Sequence, residues 1–369
     1  MLRIVLSCVL VCALLRVAVA AKPTFTPLPD FTPTDVSADG TVVVGYGYED
    51  VEYHALRWTK QSGIVPIAPL GGASDTRPSA TSADGTVVVG GSADLDFDHF
   101  RWTATGGSQP DPPRYEIYDI SDDGNIILGN FSNIQPFLWS ESESYRWLRP
   151  LEVYEPYITA LAMTGDATTI VGHVITGPSS RDFEPMRWTE ADGFQTLGLP
   201  AGETAGYSAV DVTDDGETLL VQKSTRSVFK TFLWSAITGY RELEPGMNLA
   251  PTSMSDDGSR VFGSSAEIGT FIWDEFHGAR PLQELLVEKY GLGDALQGWS
   301  LWPPREVSRD GRTFAGRGFN AEGDQSSWVV TVPEPSGIVL AATTSLSLLT
   351  IASRRRRRTG RNNRPVDRD

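Results

Sequence analysis

Cysteine is almost absent: the 369 residues include two, and both, Cys8 and Cys12, stand inside the first apolar stretch. The body of the protein therefore has no thiol for a disulfide, a zinc site or covalent catalysis. Histidine is nearly as scarce. His54, His99, His173 and His277 are scattered singly, with no two at ligand spacing, so zinc chemistry is not suggested. No Gly-x-Ser-x-Gly elbow, glycine-rich phosphate loop or His-Glu-x-x-His pair occurs, and no catalytic residue can be named on such grounds. Basic charge is short as well: between Ala21 and Pro335 there are 21 basic side chains against 45 acidic ones. That field repels a phosphate backbone and speaks against nucleic-acid binding. It suits a soluble extracellular protein and could recruit divalent cations.

Long apolar runs occur only at the two ends. Residues 1–20 have a basic start at Arg3, an apolar run from Ile4 to Leu15 and the small-residue exit Ala18-Val19-Ala20, the pattern of a secretory signal peptide. Near the other end, an 18-residue apolar run, Ser336 to Ser353, just reaches across a bilayer as a single C-terminal transmembrane helix. Its serines and threonines make it only moderately apolar, as suits a transient anchor. The arginine block Arg354, Arg355, Arg356, Arg357 and Arg358 that follows should stay cytoplasmic, leaving residues 359–369 as a cytoplasmic tail and the body on the far side of the inner membrane. Pro333, Glu334 and Pro335 stand immediately before the apolar run. This three-part end, residues 333–358, resembles the PEP-CTERM sorting signal of Gram-negative bacteria. The resemblance implies an exosortase-type partner that removes the helix and tail and delivers the chain to the cell surface or an exopolysaccharide matrix. A plain C-terminal anchor is the alternative.

The body, residues 21–332, is repetitive. Val36-Ser37-Ala38-Asp39-Gly40-Thr41-Val42-Val43-Val44-Gly45 sets a pattern that returns around Asp84-Gly85, Asp123-Gly124, Asp215-Gly216, Asp257-Gly258 and Asp310-Gly311, with a degenerate copy at Thr164-Gly165-Asp166-Ala167. Each copy is followed by a tryptophan motif, from Leu56-Arg57-Trp58-Thr59 to Ser327-Trp328-Val329, and often by a glycine turn and a further short strand. Asp-Gly between apolar segments is a strong signal for a two-residue hairpin. Each unit thus reads as four short antiparallel strands, and seven units predict an all-β fold, a seven-bladed β-propeller. The seventh unit supplies only three strands before Val332. The segment Thr24 to Pro29 resembles a fourth strand, so it is predicted to close the last blade. An insert from Arg280 to Pro304 precedes that blade, with helical spacing over Leu282 to Tyr290. The units are similar to HAF-type extracellular repeats, although only His54-Ala55-Leu56-Arg57-Trp58 keeps the His-Ala pair. That family brings no established activity to particular residues.

The repeated tryptophans read as core packing, one per blade. Trp147, Trp299 and Trp302 lie outside the repeat register and are the candidates for an exposed platform that stacks on a ligand. The turn aspartates are explained by turn chemistry. Asp94, Asp96 and Asp98 resemble the start of a calcium loop but lack its glycine and closing glutamate, which makes calcium a weak candidate and the only cofactor to test for. Arg57, Arg101 and Arg187 are expected to make ion pairs between blades. Taken together these features favour a secreted, non-enzymatic propeller that binds a polysaccharide or a surface protein. The rival is an extracellular glycan hydrolase or lyase with carboxylates at the propeller channel, and a matrix protein cross-linked by divalent cations is a third reading. A channel lined by acids with raised pKa values would favour the enzyme, one lined by turns and small residues the binder.

Overall fold

The computed structural model describes residues 22–333 apart from the loop segments 50–51, 70–72, 74, 93–98, 112–115, 132–134, 149–156, 178, 180, 205 and 225–228. Residues Pro23–Val332 form one compact unit. The signal peptide, most of the sorting signal, the apolar run 336–353, the arginine block and Asp94, Asp96 and Asp98 lie outside the described residues. No helix among the described residues is long and apolar enough to cross a membrane.

The unit is a seven-bladed β-propeller of four-stranded antiparallel sheets. Blade 1 consists of Thr32–Val36, Val42–Glu49, Glu52–Thr59 and Gly63–Pro66, ordered from the inside outward. The innermost strands pack one against the next in cyclic order, from Thr32–Val36 in blade 1 to Ser300–Val307 in blade 7 and back to blade 1. Blade 7 takes its outermost strand, Thr24–Leu28, from the other end of the chain, with Thr24 opposite Thr331 and Leu28 opposite Ser327. This pairing covers Gln325–Thr331, which would otherwise be the outer edge of blade 7.

Apolar side chains on both faces of the second strands fill the spaces between blades. Val42, Val44, Ala55 and Phe100 share one cluster, and Val43 and Trp58 share the next. Of the third-strand tryptophans, Trp58, Trp188, Trp273 and Trp328 are buried, and Trp102, Trp139 and Trp234 are half-buried against the core clusters. Gly45 closes the apolar run of blade 1 because a Cβ there would lie 2.2 Å from the carbonyl oxygen of Thr32. The insert is shorter than the sequence suggests, since Gly278–Pro281 ends blade 6 and Ser300–Val307 begins blade 7. Between them the helix Leu282–Glu288 buries Leu282 and Leu286 against the blade 6 and 7 core.

The Asp-Gly turns differ from a two-residue hairpin. In blade 1 the amide of Ser37 bonds the carbonyl of Val42 at 2.9 Å, which leaves a four-residue loop. Ser37 donates to the Asp39 carboxylate at 2.7 Å, and that carboxylate also takes the Thr41 amide at 2.9 Å. Gly40 supplies the left-handed conformation at φ +69°. The serine or threonine of the motif is thus as much a part of the turn as Asp-Gly. Equivalent bonds recur at Asp84, Asp123, Asp166, Asp215, Asp257 and Asp310.

Candidate functional site: the central channel

Alternation of strand direction divides the ring into two faces. The Asp-Gly turns and the outer glycine turns lie on one, the turn face. The hairpins between second and third strands, and the crossings to the next blade, lie on the other. The residue after each Ser or Thr of the turn motif comes nearest the axis, and here a belt of main-chain hydrogen bonds ties the blades together. Ala83 N donates to Asp122 O, Asp122 N to Gly165 O, Asp214 N to Asp256 O, Asp256 N to Arg309 O and Arg309 N to Ala38 O, at 2.8 to 3.1 Å. Arg309, from blade 7, extends its guanidinium across the axis. It pairs with Asp122 of blade 3, with Asp256 of blade 6 at 2.8 Å and with Asp214 of blade 5 at 3.6 Å. One cation thereby gathers three carboxylates at the turn-face mouth.

A second ring of acids lies along the innermost strands. Every blade has a β-bulge there, as between Pro33 and Asp35 in blade 1. The extra residue turns the following side chain sideways toward the next blade. At that position blades 1, 3 and 5 carry Asp35, Asp119 and Asp211, blade 7 carries Glu306, and the even blades carry Ala80, Ala162 and Ser253. Asp35 takes its own neighbour's amide, Val36 N at 2.6 Å, and the amide of Thr81 in blade 2 at 2.7 Å. Asp119 takes Ile120 N and, across the seam, Met163 N. Asp211 takes Val212 N and Met254 N. The even blades have no acid of their own, so their amides are free for the preceding blade.

Seven is odd, and the alternation fails at one seam. Glu306 of blade 7 adjoins Asp35 of blade 1, and the amide it would take, Val36 N, is already held by Asp35. Among the described residues Glu306 has no hydrogen-bond partner. Desolvation, countered in part by the amides, raises the Asp119 and Asp211 carboxyls to about 7. Desolvation, with the charge of Asp119, also raises Asp35 against its two amides, and desolvation with the repulsion of Asp35 raises Glu306 without any amide to offset it. In the turns the balance is reversed. The hydroxyl and amide of Thr86 hold Asp84 below the usual carboxylate range, and the Ser121 hydroxyl does the same for Asp123.

The three sequence-predicted platform tryptophans are not brought together. Trp147 is half-buried on the outermost strand of blade 3, stacked on Tyr145 at 5.7 Å. Trp299 packs edge-on to Phe25 at 5.0 Å and belongs to the core beside the helix. Trp302 lies on the innermost strand of blade 7 near the crossing face, half-buried, against Phe319 at 5.4 Å and beneath the Arg317 guanidinium at 5.7 Å. Among the described residues no group of three His, Cys, Asp or Glu side chains could hold a metal ion.

Among the described residues the seam arginines Arg57, Arg101 and Arg187 form no ion pair between blades. Arg57 and Arg101 donate instead to the turn carbonyls of Gly85 and Gly124 in the next blade. Where blades 3 and 5 have Leu138 and Leu233 at this place, the cross-strand partner is arginine, Arg146 or Arg241. Those two lie over Trp188 and Trp273 of the following blade and pair with Glu190 and Glu275. Beside the first of these pairs a cleft of about 460 Å³ opens between blades 3 and 4, lined in part by Trp139, Ser142 and Asp166.

Both acid rings and Arg309 were missed by sequence reasoning, although repeat alignment holds the signal. At the position after Ser or Thr, the seven copies read Ala, Ala, Asp, Gly, Asp, Asp and Arg; three before it they read Asp, Ala, Asp, Ala, Asp, Ser and Glu.

No protein-family model and no curated protein sequence matches this chain. Solved structures match its fold. The β-propeller domain of Cps50 (Swd1) from Myceliophteria thermophila is 11% identical, with a TM-score of 0.55 over 84% of this chain and 98% of that one. The β-propeller domain of the Trilobed protease from Pyrococcus furiosus, which has an open velcro topology, is 12% identical, with a TM-score of 0.55 over 82% of this chain and 95% of that one. An oligogalacturonate lyase in complex with manganese is 13% identical, with a TM-score of 0.54 over 84% of this chain and 91% of that one. At these identities the likeness is one of fold alone.

Proposed function

We propose that the chain is an exported β-propeller of the cell surface or extracellular matrix that acts by binding a polysaccharide or a surface protein. The observation that carries this reading is how the channel acids are employed. Asp35, Asp119 and Asp211 each hold two main-chain amides, and Asp122, Asp214 and Asp256 surround Arg309, so six carboxylates near the axis serve the ring itself. The address rests on the end that resembles a PEP-CTERM signal, Pro333 to Arg358, with an exosortase-type partner and transient anchoring through residues 336–353. The closed unit Pro23–Val332 supports processing, since trimming beyond it would remove no blade strand. Trp302 offers a half-exposed ring with an arginine beside it, a surface suited to stacking on a sugar.

The test is co-sedimentation of the protein with the producing organism's extracellular polysaccharide, with and without calcium, while following release of reducing ends. Binding without release, weakened by Trp302→Ala, is the expected result. A second reading, a glycan hydrolase or lyase, is favoured by one residue. Glu306 lies on the innermost strand of blade 7 with no amide bound and Asp35 beside it, an arrangement able to hold or donate a proton. The oligogalacturonate lyase among the similar structures uses the same fold. Release of reducing ends that disappears in Glu306→Gln would establish this reading in place of the first.

A further inference from the structure

Among the described residues the most exposed large apolar side chains are Phe276, 93% exposed, and Ile237, 91% exposed. Both lie at the tips of outer glycine turns, two residues before Gly278 and Gly239, which take left-handed conformations. The same tip position is Gln61 in blade 1, Thr105 in blade 2, Ser142 in blade 3 and Ala191 in blade 4. Bulky apolar tips are thus confined to the neighbouring blades 5 and 6. Tips of this kind gain nothing for the fold, because they touch no core.

Their position relative to the chain ends is informative. Blade 7 has no outer turn of its own; in its place the chain enters at Thr24 and leaves at Thr331, which are paired. Entry and exit are therefore on the turn face, with Phe276 one blade away and Ile237 two. Three residues, Pro333, Glu334 and Pro335, separate Val332 from Ser336, the first residue of the apolar run. Fully extended, the four Cα steps from Val332 to Ser336 span about 14 Å. If that run is embedded in a bilayer, the turn face of blade 7 is held within about that distance of the lipid. The outer turns differ in charge as well: those of blades 3 and 4 carry Glu141, Glu143, Glu190 and Asp192, that of blade 5 carries no acid, and in that of blade 6 Asp274 and Glu275 are paired with Arg280 and Arg241.

We propose that Ile237 and Phe276 dock the turn face on the membrane entered by the chain's own apolar segment, with both side chains resting among the lipid headgroups. This rests on the reading of residues 336–353 as a membrane anchor. The near absence of cysteine supplies the test. In the full chain with Cys8→Ser and Cys12→Ser, single cysteines at Phe276→Cys, Ile237→Cys and, as reference, Ser142→Cys are labelled with a polarity-sensitive fluorophore. The protein is then reconstituted with phosphatidylcholine vesicles, some carrying a nitroxide lipid. The expected result is flotation of the protein with the vesicles, blue-shifted emission at 276 and 237, and quenching there several-fold stronger than at 142. Flotation with equal, water-like emission at all three sites would overturn the docking and leave the anchor standing. Failure to float would overturn both.

Discussion

Glu306 differs from its three counterparts by the two amides it lacks, and the consequence is measurable as stability against pH. An acid whose pKa is raised on folding keeps a proton that the unfolded chain gives up. Its stability contribution is therefore full below the unfolded value, near 4, and is lost as pH rises through the folded value. For Asp119 and Asp211 that window runs from about 4 to about 7. Turn carboxylates such as Asp84 and Asp123 behave oppositely, stabilising above their unfolded value and failing as pH falls through the folded one. Thermal unfolding followed across pH is expected to give the highest Tm at about pH 4 to 5 and a clear decline by about pH 8. Glu306→Gln removes one ionising member of the crowded seam. It should raise stability at pH 8, where Glu306 is driven to ionise beside Asp35, and leave it unchanged at pH 4, where Glu306 is protonated in both states. An equal gain at both values would show that repulsion with Asp35 is not the cause. Arg309→Met leaves Asp122, Asp214 and Asp256 facing one another. These side chains are open to solvent on the turn face, so the loss expected is only about 1 kcal/mol, and it should shrink in high salt. Chemical denaturation at low and high ionic strength measures it.

Among elements, the Asp-Gly loops and the outer glycine turns look alike in sequence but sit in different surroundings. Gly85 has φ +66°, and a Cβ on it would lie 2.3 Å from Val42 of the preceding blade. Gly63 has the same φ and nothing within 4 Å. Gly63→Ala should cost about 1 kcal/mol from backbone conformation alone. Gly85→Ala should cost at least about 2 kcal/mol, because the seam must also open, and the difference between their unfolding free energies isolates the seam contact. The contrast marks where the sequence was legible. Strand number, the tryptophan core and the closing strand could be read because they repeat and alternate. The loop length could not, since Asp39-Gly40 signals a tight turn and only geometry recruits Ser37 and Thr41 to widen it. The seam arginines were visible as residue types, yet their acceptors are main-chain carbonyls, which no sequence pattern displays. Trp299 lies out of register with the repeats because it serves the helix and Phe25, not because it faces solvent.

For the molecule as a whole, the number of blades creates a constraint that no single blade contains. A two-blade pattern of acid and small residue cannot tile a ring of seven, so one seam must join two of a kind; here it joins acid to acid, and it falls where the two ends of the chain meet. Both acid rings lay in plain view in the repeats, but sequence spacing does not say which positions face an axis. Closure is testable directly. Deleting residues 22–28 removes Phe25 and Leu28 from their clusters and bares the strand Gln325–Thr331 as an open edge. The variant is expected to lose cooperative unfolding and to self-associate, as seen by light scattering. The way that strand is held also decides how the protein responds to being pulled. Gln325–Thr331 lies between two neighbours, paired along its length with Thr313–Phe319 on one side and with Thr24–Leu28 on the other. Tension applied through residue 332 runs along the strand, so the hydrogen bonds on both sides are loaded together in shear and do not open one at a time. A tether leaving the ring there grips it at a mechanically strong point, and drag on the seven blades is resisted by two ladders at once.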